Sequence, residues 1–294
     1  MLLVGVILLL NQQLNVGQFI AAEIVILTIL SSVEKLISNL DNVYDVLTAV
    51  EKIEQVIDKE AEQNGTVILS ADGPGISFAL HHVAYTHPDA AAPVFRNLSF
   101  SVNAGEKICL QGEEGAGKST LLRLLSGTYD HFEGTILLND IPIHNYDHRS
   151  LRFKTGTLIS QQDIFEGSLL DNICFGLDDA DIREVQDLCN KTGLTDFIST
   201  LRQGFDTPLH TNGRKLPAHA VKKILLVRAL MNKPRLLLLE EPWAGLEKEA
   251  SDRIRRLLLE EMPDTTVVVA TKDAAFAARC HKTIWLHKDG CTIR

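Results

Sequence analysis

The stretch Gly112–Thr120, "GEEGAGKST", decides the fold of most of this chain. It matches G-x-x-x-x-G-K-[ST] in full and lies between a strand-like run, "EKICLQG", and a helix-like run, "KSTLLRLLSG". Its glycines let the backbone turn tightly and point successive N–H groups at phosphate oxygens. We therefore predict a nucleotide-phosphate site in which Lys118 contacts the β- and γ-phosphates and Ser119 binds Mg²⁺. The candidate contact residues are Gly112, Glu113, Glu114, Gly115, Ala116, Gly117, Lys118, Ser119 and Thr120.

The sequence around this loop alternates between strand and helix patterns. The runs "ISFALHHVAY" and "VFRNLSFSV" before it predict half-exposed antiparallel strands, and "RLLLLE" and "TTVVVA" after it predict buried parallel strands. The chain closes with "KTIWLHKDGCTIR", which predicts a hairpin that turns at Asp289-Gly290. We predict an α/β phosphate-loop domain with a mixed sheet, flanking helices and an antiparallel β subdomain.

The N-terminal residues have a different composition. "MLLVGVILLL" and "FIAAEIVILTIL" are apolar and are separated by a polar break, and neither resembles a signal peptide. We expect the tail of one transmembrane helix and one complete transmembrane helix over roughly Val16 to Ile37, continuing into water with helical periodicity to Ile57. A buried hydrophobic hairpin in a soluble protein is the alternative. The expected organisation is a membrane remnant with its helical extension (1–60), a Gly/Pro-containing linker (61–75) and the nucleotide-binding domain (76–294).

Overall composition limits the classes of partner. The 294 residues carry a formal net charge of −9, which argues against DNA or RNA as a ligand. The five cysteines are far apart and have no C-x-x-C spacing, so we expect neither a disulfide framework nor a zinc site.

From Ile76 to Arg294 the chain resembles the nucleotide-binding domain of ATP-binding-cassette (ABC) transporters, of the exporter type with fused membrane helices. The resemblance implies ATP and Mg²⁺ as ligands and assigns adenine stacking to Tyr85 in "HHVAYTHP". It assigns a Mg²⁺-reaching glutamine to "LISQQDIFEGSLLDNICFG", where counting back from Phe165 leads to Ser160, so either Gln161 or Gln162 takes the role.

The same resemblance assigns two carboxylates to "RLLLLEEPWAGLE". Glu240 is on the Mg²⁺ side, where the family has aspartate, and Glu241 is the general base for the attacking water. A strand that ends in acidic residues brings them to the carboxyl edge of the sheet, beside the phosphate loop. Glu247 likewise replaces an aspartate in "AGLE".

Two family elements are eroded. The L-S-G-G-Q signature is replaced by Leu216-Pro217-Ala218-His219-Ala220, and Lys272 is taken to occupy the place of the switch histidine. Lysine offers charge to a phosphate but lacks the donor–acceptor geometry of imidazole. Both changes affect the rate of hydrolysis rather than the fold.

The resemblance implies the C-terminal part of an exporter subunit in a cell membrane, with the ATP-binding domain in the cytoplasm. Its partners would be a second cassette, in a homodimer or heterodimer, together with membrane-domain helices and lipid. The chain would be a transport-coupled ATPase, slow if the eroded elements matter. One alternative is a subunit that binds ATP, hydrolyses little and regulates a partner. Another is a soluble cassette ATPase that acts on nucleic acid or ribosomes, which the apolar start and the acidic charge oppose. Too few membrane helices precede Ile76 for a whole exporter half, so we expect an N-terminal truncation or helices encoded elsewhere.

Overall fold

The structure is a computed structural model that describes residues 2–11, 13, 15–58, 62, 64–70, 73–88, 90–160, 163–177 and 179–294. The chain divides into two compact units, Met1–Glu62 and Gln63–Arg294.

The described residues of the first unit form two helices, α1 (Leu2–Leu10) and α2 (Val16–Ile57). Helix α2 begins with a capping box, in which Gln18 N–H donates to Asn15 Oδ1 at 2.7 Å and Asn15 N–H donates to Gln18 Oε1 at 3.1 Å. Its hydroxyl groups bond within the helix, as Thr28 Oγ1 does to the Ile24 carbonyl at 2.8 Å. Among the described residues, α2 is the one helix long and apolar enough to cross a membrane, with a mean hydropathy of 1.9. The value of 1.9 is the mean of its most apolar 18-residue window. At 42 residues the helix extends about 63 Å, roughly twice the hydrocarbon thickness of a bilayer.

The second unit is built on twelve strands and eight α-helices among the residues that the structure describes. The strands are β1 (Phe78–Tyr85), β2 (Phe95–Val102), β3 (Lys107–Gly112), β4 (Glu133–Leu138), β5 (Ile141–Pro142), β6 (Thr155–Leu158), β7 (Gly167–Ser168), β8 (Pro208–Leu209), β9 (Leu236–Glu240), β10 (Thr266–Ala270), β11 (Lys282–His287) and β12 (Gly290–Ile293). The helices are α3 (Lys118–Leu125), α4 (His148–Phe153), α5 (Leu169–Ile173), α6 (Ile182–Thr192), α7 (Thr195–Ile198), α8 (Ala218–Met231), α9 (Lys248–Arg256, extended by a π-helical turn Leu257–Glu261) and α10 (Ala274–Ala277).

The strands form a six-stranded sheet, a four-stranded sheet and a short pair. The first has the order β12-β11-β3-β10-β9-β6 and is parallel except for β12, and the second is antiparallel in the order β2-β1-β4-β5. The predicted mixed α/β fold with an antiparallel subdomain is confirmed. The closing hairpin pairs His287 with Gly290, so its two-residue loop is Lys288-Asp289, one residue earlier than expected.

Central position in the six-stranded sheet explains the two continuous apolar runs. Leu236, Leu237, Leu238 and Leu239 of β9 are each 0% exposed, since β9 lies between β10 and β6 with side chains buried on both faces. Strands β3, β9 and β10 are parallel neighbours, so their carboxyl ends meet at one edge of the sheet. That edge brings the loop after Gly112, the carboxylate of Glu240 and the residue that follows Ala270 to the same place.

The segment before β1 belongs to the second unit and packs against the rest of it. Val67 forms a parallel bridge with Tyr146, and its N–H donates to the Asn145 carbonyl at 2.8 Å. The Arg235 guanidinium donates to the carbonyls of Ser70 at 3.1 Å and Pro74 at 2.6 Å. These residues of the predicted linker are therefore part of the second unit.

A buried lysine stabilises the region where α9 leads into β10. Lys107, on β3, is 3% exposed, and burial lowers the pKa of its ammonium. Its Nζ donates to four backbone carbonyls at 2.9, 2.7, 3.3 and 2.6 Å, those of Gly105, Met262, Pro263 and Thr265. These bonds join the turn before β3 to the segment between α9 and β10.

Candidate nucleotide-binding site

The phosphate loop connects β3 to α3 and requires glycine for two reasons. Gly112, Gly115 and Gly117 have φ of 148°, 79° and 88°, which side chains disfavour. A Cβ on Gly117 would also lie 2.6 Å from Phe95 Cδ1. Helix α3 begins directly after Gly117 with no side-chain cap, so its first N–H groups face the loop. This arrangement is an anion-binding site built from backbone.

Lys118 adds a charge inside the loop. Its Nζ donates to the carbonyls of Gly112 at 2.9 Å and Glu113 at 2.7 Å. Burial lowers the pKa of this ammonium, and the charge of Lys272 lowers it further, while the nearby carboxylates oppose both effects. The charge of Lys272 therefore adds to that of Lys118, which favours an anionic ligand at this site.

Glu240 ends β9 next to the start of α3. Its Oε1 accepts a hydrogen bond from Ser119 Oγ at 2.5 Å, and its Oε2 accepts from the N–H of Ser160 at 2.9 Å and from its Oγ at 2.7 Å. Burial opposes ionisation of this carboxyl, but the bonds from Ser119 and Ser160 and the nearby Arg123 outweigh it, and the pKa is lowered. Ser119 and Glu240 thus present adjacent oxygen donors, the ligand type that Mg²⁺ prefers, so these residues fit that ion.

Glu241 has an unusual backbone and a well-supported side chain. Its φ is 43°, a left-handed conformation that costs free energy in a residue with a side chain. Its Oε2 accepts from Thr271 Oγ1 at 3.0 Å, and its Oε1 accepts from the Lys272 N–H at 3.3 Å. On the backbone side, Lys222 Nζ donates to the carbonyls of Glu241 at 2.9 Å and Ala244 at 2.8 Å. The residues after β10 therefore hold this carboxylate at the sheet edge, and Lys222 of α8 holds its backbone.

Thr271 and Lys272 share the place after β10. The strand ends at Ala270, so Thr271 is the first residue beyond it; it is 2% exposed, and its hydroxyl faces Glu241. Lys272 is exposed and contacts Glu241 through its backbone N–H. The sequence analysis assigned the switch position to Lys272 and did not name Thr271. The position of Thr271, directly after the apolar run, could have indicated it.

Tyr85 lies at the end of β1 in the hydrophobic core. Tyr85 is 5% exposed. Its ring stacks on that of Tyr129, with a centroid distance of 5.2 Å and an interplanar angle of 3°. His87 stands edge-on to it at 5.0 Å. Tyr129 is half-buried, so the edge of this aromatic cluster is formed by Tyr129 and His87 rather than by Tyr85.

Gln161 and Gln162 lie outside the residues that the structure describes. The residue before them, Ser160, contacts Glu240 as given above, and Arg123 Nη2 donates to its carbonyl at 2.8 Å. Ser160 was found by counting back from Phe165 but was passed over in favour of the two glutamines.

The eroded signature forms the start of α8. Pro217 is the N-cap residue, with φ of −61° and ψ of 140°, and makes no side-chain cap hydrogen bond. Pro217, Ala218 and His219 are exposed. Helix α8 spans Ala218–Met231, and its N-terminus is open to solvent.

The fold and this site define a phosphate-loop nucleotide-binding domain of the cassette type. A family model described as ABC transporter matches residues 95–244, about half of the chain, and the chain therefore belongs to the ABC transporter family.

Curated relatives are exporters or transport proteins. The chain is 29% identical to the glutathione/L-cysteine transport system ATP-binding/permease protein CydC of Escherichia coli (strain K12), over 77% of this chain and 39% of that protein. It is 30% identical to the ATP-dependent lipid A-core flippase of Burkholderia orbicola (strain AU 1054), over 88% of this chain and 44% of that protein. It is 33% identical to antigen peptide transporter 1 of Rattus norvegicus, over 69% of this chain and 28% of that protein.

A solved structure of a bacterial Atm1-family ABC exporter with ATP bound is similar in fold. It matches with a TM-score of 0.75 and 27% identity, over 83% of this chain and 43% of that chain. The chain thus spans less than half the length of these relatives.

Proposed function

We propose that the second unit binds ATP with Mg²⁺ and hydrolyses it slowly as the cassette of a membrane exporter. The observation that carries this proposal is the convergence of four side chains at one sheet edge. Lys118 and Ser119 at the start of α3, Glu240 at the end of β9 and Glu241 directly after it lie together there, with Ser119 Oγ 2.5 Å from Glu240 Oε1. The family membership supports the nucleotide as ATP.

The roles follow from the chemistry of each group. Lys118 and the loop N–H groups would hold the β- and γ-phosphates, and Lys272 would add a second charge near them. Ser119 and Glu240, with Gln161 or Gln162, would hold Mg²⁺, which neutralises phosphate charge when bound. Glu241 would accept a proton from the attacking water, and its fixed carboxylate suits that role.

We propose that Tyr85 contributes to base binding through the aromatic cluster that it supports, because its own ring is buried. Because Tyr129 covers one face of the Tyr85 ring, adenine would contact the aromatic cluster at its half-buried edge, next to Tyr129 and His87. Stacking of this type would add affinity without discriminating between phosphates.

We infer that residues 1–60 are the end of a membrane domain with its helical extension, residues 61–75 a connection, and residues 76–294 the cassette. The division of the chain at Glu62 and the length and composition of α2 support this organisation. The cassette would then lie in the cytoplasm and pair with a second cassette, and closure of the pair would drive membrane helices. Lipid and the membrane helices of the rest of the transporter complete the proposed partners.

The experiment measures MgATP binding and turnover by the purified full chain and two variants. Lys118→Ala should lose most of its ATP affinity, because the fixed cation of the loop is removed. Glu241→Gln should keep that affinity and turn ATP over far more slowly. A Lys118→Ala variant with wild-type affinity would overturn the phosphate-loop assignment, and loss of turnover in Glu240→Gln but not in Glu241→Gln would exchange the roles of the two glutamates.

A second candidate function is a regulatory subunit that binds ATP and hydrolyses almost none. The observation that favours it is the start of α8, where Pro217 has no N–H and Ala218 and His219 replace glycines suited to close approach. Restoring Ser-Gly-Gly at these three positions should raise the turnover of a homodimer if the loop limits the rate. Fast wild-type turnover with no gain from the restoration would remove this candidate.

A further inference from the structure

Glu240 has one methylene more than the aspartate of the family pattern, so its carboxylate needs additional hydrogen bonds to stay in one position. A longer side chain has one more rotatable bond, so the carboxylate must be held if it is to bind metal in one place. In the structure the two oxygens have different partners. Oε1 faces Ser119 Oγ at 2.5 Å, and Oε2 accepts both bonds from Ser160.

Ser160 is itself anchored to the helix that carries Ser119. Arg123 of α3 donates from Nη2 to the Ser160 carbonyl at 2.8 Å, and its guanidinium carbon lies 5.8 Å from the centre of the Tyr129 ring. Helix α3 therefore supports Glu240 twice, directly through Ser119 and indirectly through Arg123 and Ser160. This double support limits the movement of a carboxylate that is only partly buried.

We propose that Ser160 is a positioning residue for the magnesium site: it holds Oε2 of Glu240 so that Oε1 and Ser119 face the ion that accompanies ATP. The inference rests on the proposed function, because it concerns how MgATP is held. Ser160 does not contact the nucleotide in this proposal and acts through Glu240. Its hydroxyl compensates for the extra methylene of Glu240.

The test is a Mg²⁺ titration of ATP binding to the full chain, with ATP binding in EDTA measured in parallel. Ser160→Ala keeps the backbone N–H but loses the hydroxyl, so the Mg²⁺ concentration for half-maximal effect should rise about three- to tenfold. Affinity for ATP in EDTA should stay within about twofold, because the bonded group faces the metal and not the phosphates. Ser160→Thr keeps a hydroxyl and should restore the wild-type Mg²⁺ dependence. Ser101→Ala, at an exposed serine of β2, is the matched control and should change nothing.

A Glu240→Asp background checks that Ser160 acts through Glu240. The shorter side chain draws the carboxylate back from Ser160, so adding Ser160→Ala to it should have little further effect. The proposal is overturned if Ser160→Ala leaves the Mg²⁺ dependence unchanged, if Ser160→Thr behaves like alanine, or if the alanine effect is equally large in the Asp background. A wild-type chain that does not bind MgATP contradicts the proposed function instead, whereas normal wild-type binding with a silent Ser160→Ala contradicts this inference alone.

Discussion

Replacing Thr271 with valine removes one hydroxyl from the proposed catalytic centre and leaves side-chain shape almost unchanged. Thr271 is 2% exposed, and its Oγ1 donates to Glu241 Oε2 at 3.0 Å. The Lys272 N–H also donates to this carboxylate, but at 3.3 Å, a longer distance than that of the Thr271 bond. Valine therefore leaves Glu241 with its weaker support while the backbone bonds from Lys222 stay in place.

The magnitude follows from the type of bond. A hydrogen bond to a charged group contributes about 1.5–3 kcal/mol. If that free energy serves to hold the carboxylate where it receives the proton from water, kcat should fall about ten- to hundredfold. The KM for ATP should change by less than about twofold, because Glu241 acts on the water and not on nucleotide binding.

The assay is steady-state ATP hydrolysis by the full chain, with single-turnover measurement if the rate is low. Thr271→Ser keeps the hydroxyl and should retain most of the activity. Thr266→Val is the matched control, because Thr266 is a fully buried threonine at the other end of β10, whose Oγ1 accepts from the Gly105 N–H at 2.9 Å. It should lower stability without lowering kcat in the folded protein. Wild-type kcat in Thr271→Val would refute the role of this hydroxyl in positioning Glu241.

Three further predictions concern the base cluster, the buried lysine and the acid stability of the cassette. Tyr85→Ala should weaken ATP binding by about 1–3 kcal/mol and should weaken the binding of inorganic triphosphate much less. An equal loss for both ligands in a binding titration would show that Tyr85 only packs in the core. Lys107→Met should lower the free energy of unfolding by about 2–4 kcal/mol, because four carbonyls lose the lysine as a donor. Denaturant unfolding measures this change through the fluorescence of the two tryptophans, both of which lie in the cassette. An unchanged unfolding midpoint would contradict the prediction. Burial opposes ionisation of Asp273, but backbone N–H donors and Arg255, whose Nη2 lies 2.6 Å away, lower its pKa below the ordinary 3.8. The ionised Asp273 therefore stabilises the fold above pH 3.8, and this contribution is lost as the pH falls through the lowered pKa. The difference in unfolding free energy between wild type and Asp273→Asn should shrink on acidification. A difference that grew would contradict the lowered pKa.

Much of the site could be predicted from sequence because its parts are local. The phosphate loop is a continuous segment whose glycines and lysine define its own conformation, and the apolar run before Glu240 is long enough to predict a central strand. Parallel strands place their carboxyl ends at one edge, so a common sheet edge for Ser119 and Glu240 could be predicted, although their direct contact could not. The hairpin loop at Lys288-Asp289 was misplaced by one residue because Gly290 was assigned to the turn instead of to the strand pair with His287.

The sequence by itself determined the fold class, the phosphate loop and the pair of acidic residues at the end of an apolar strand. Only the tertiary structure decided which side chains support that pair. Ser160 reaches Glu240 across 80 positions of sequence, and Thr271 reaches Glu241 across 30. It also decided that Tyr85 is buried against Tyr129. The physical reason is that a hydrogen bond or a ring contact depends on distances of a few ångströms between elements, which no local pattern of residues encodes.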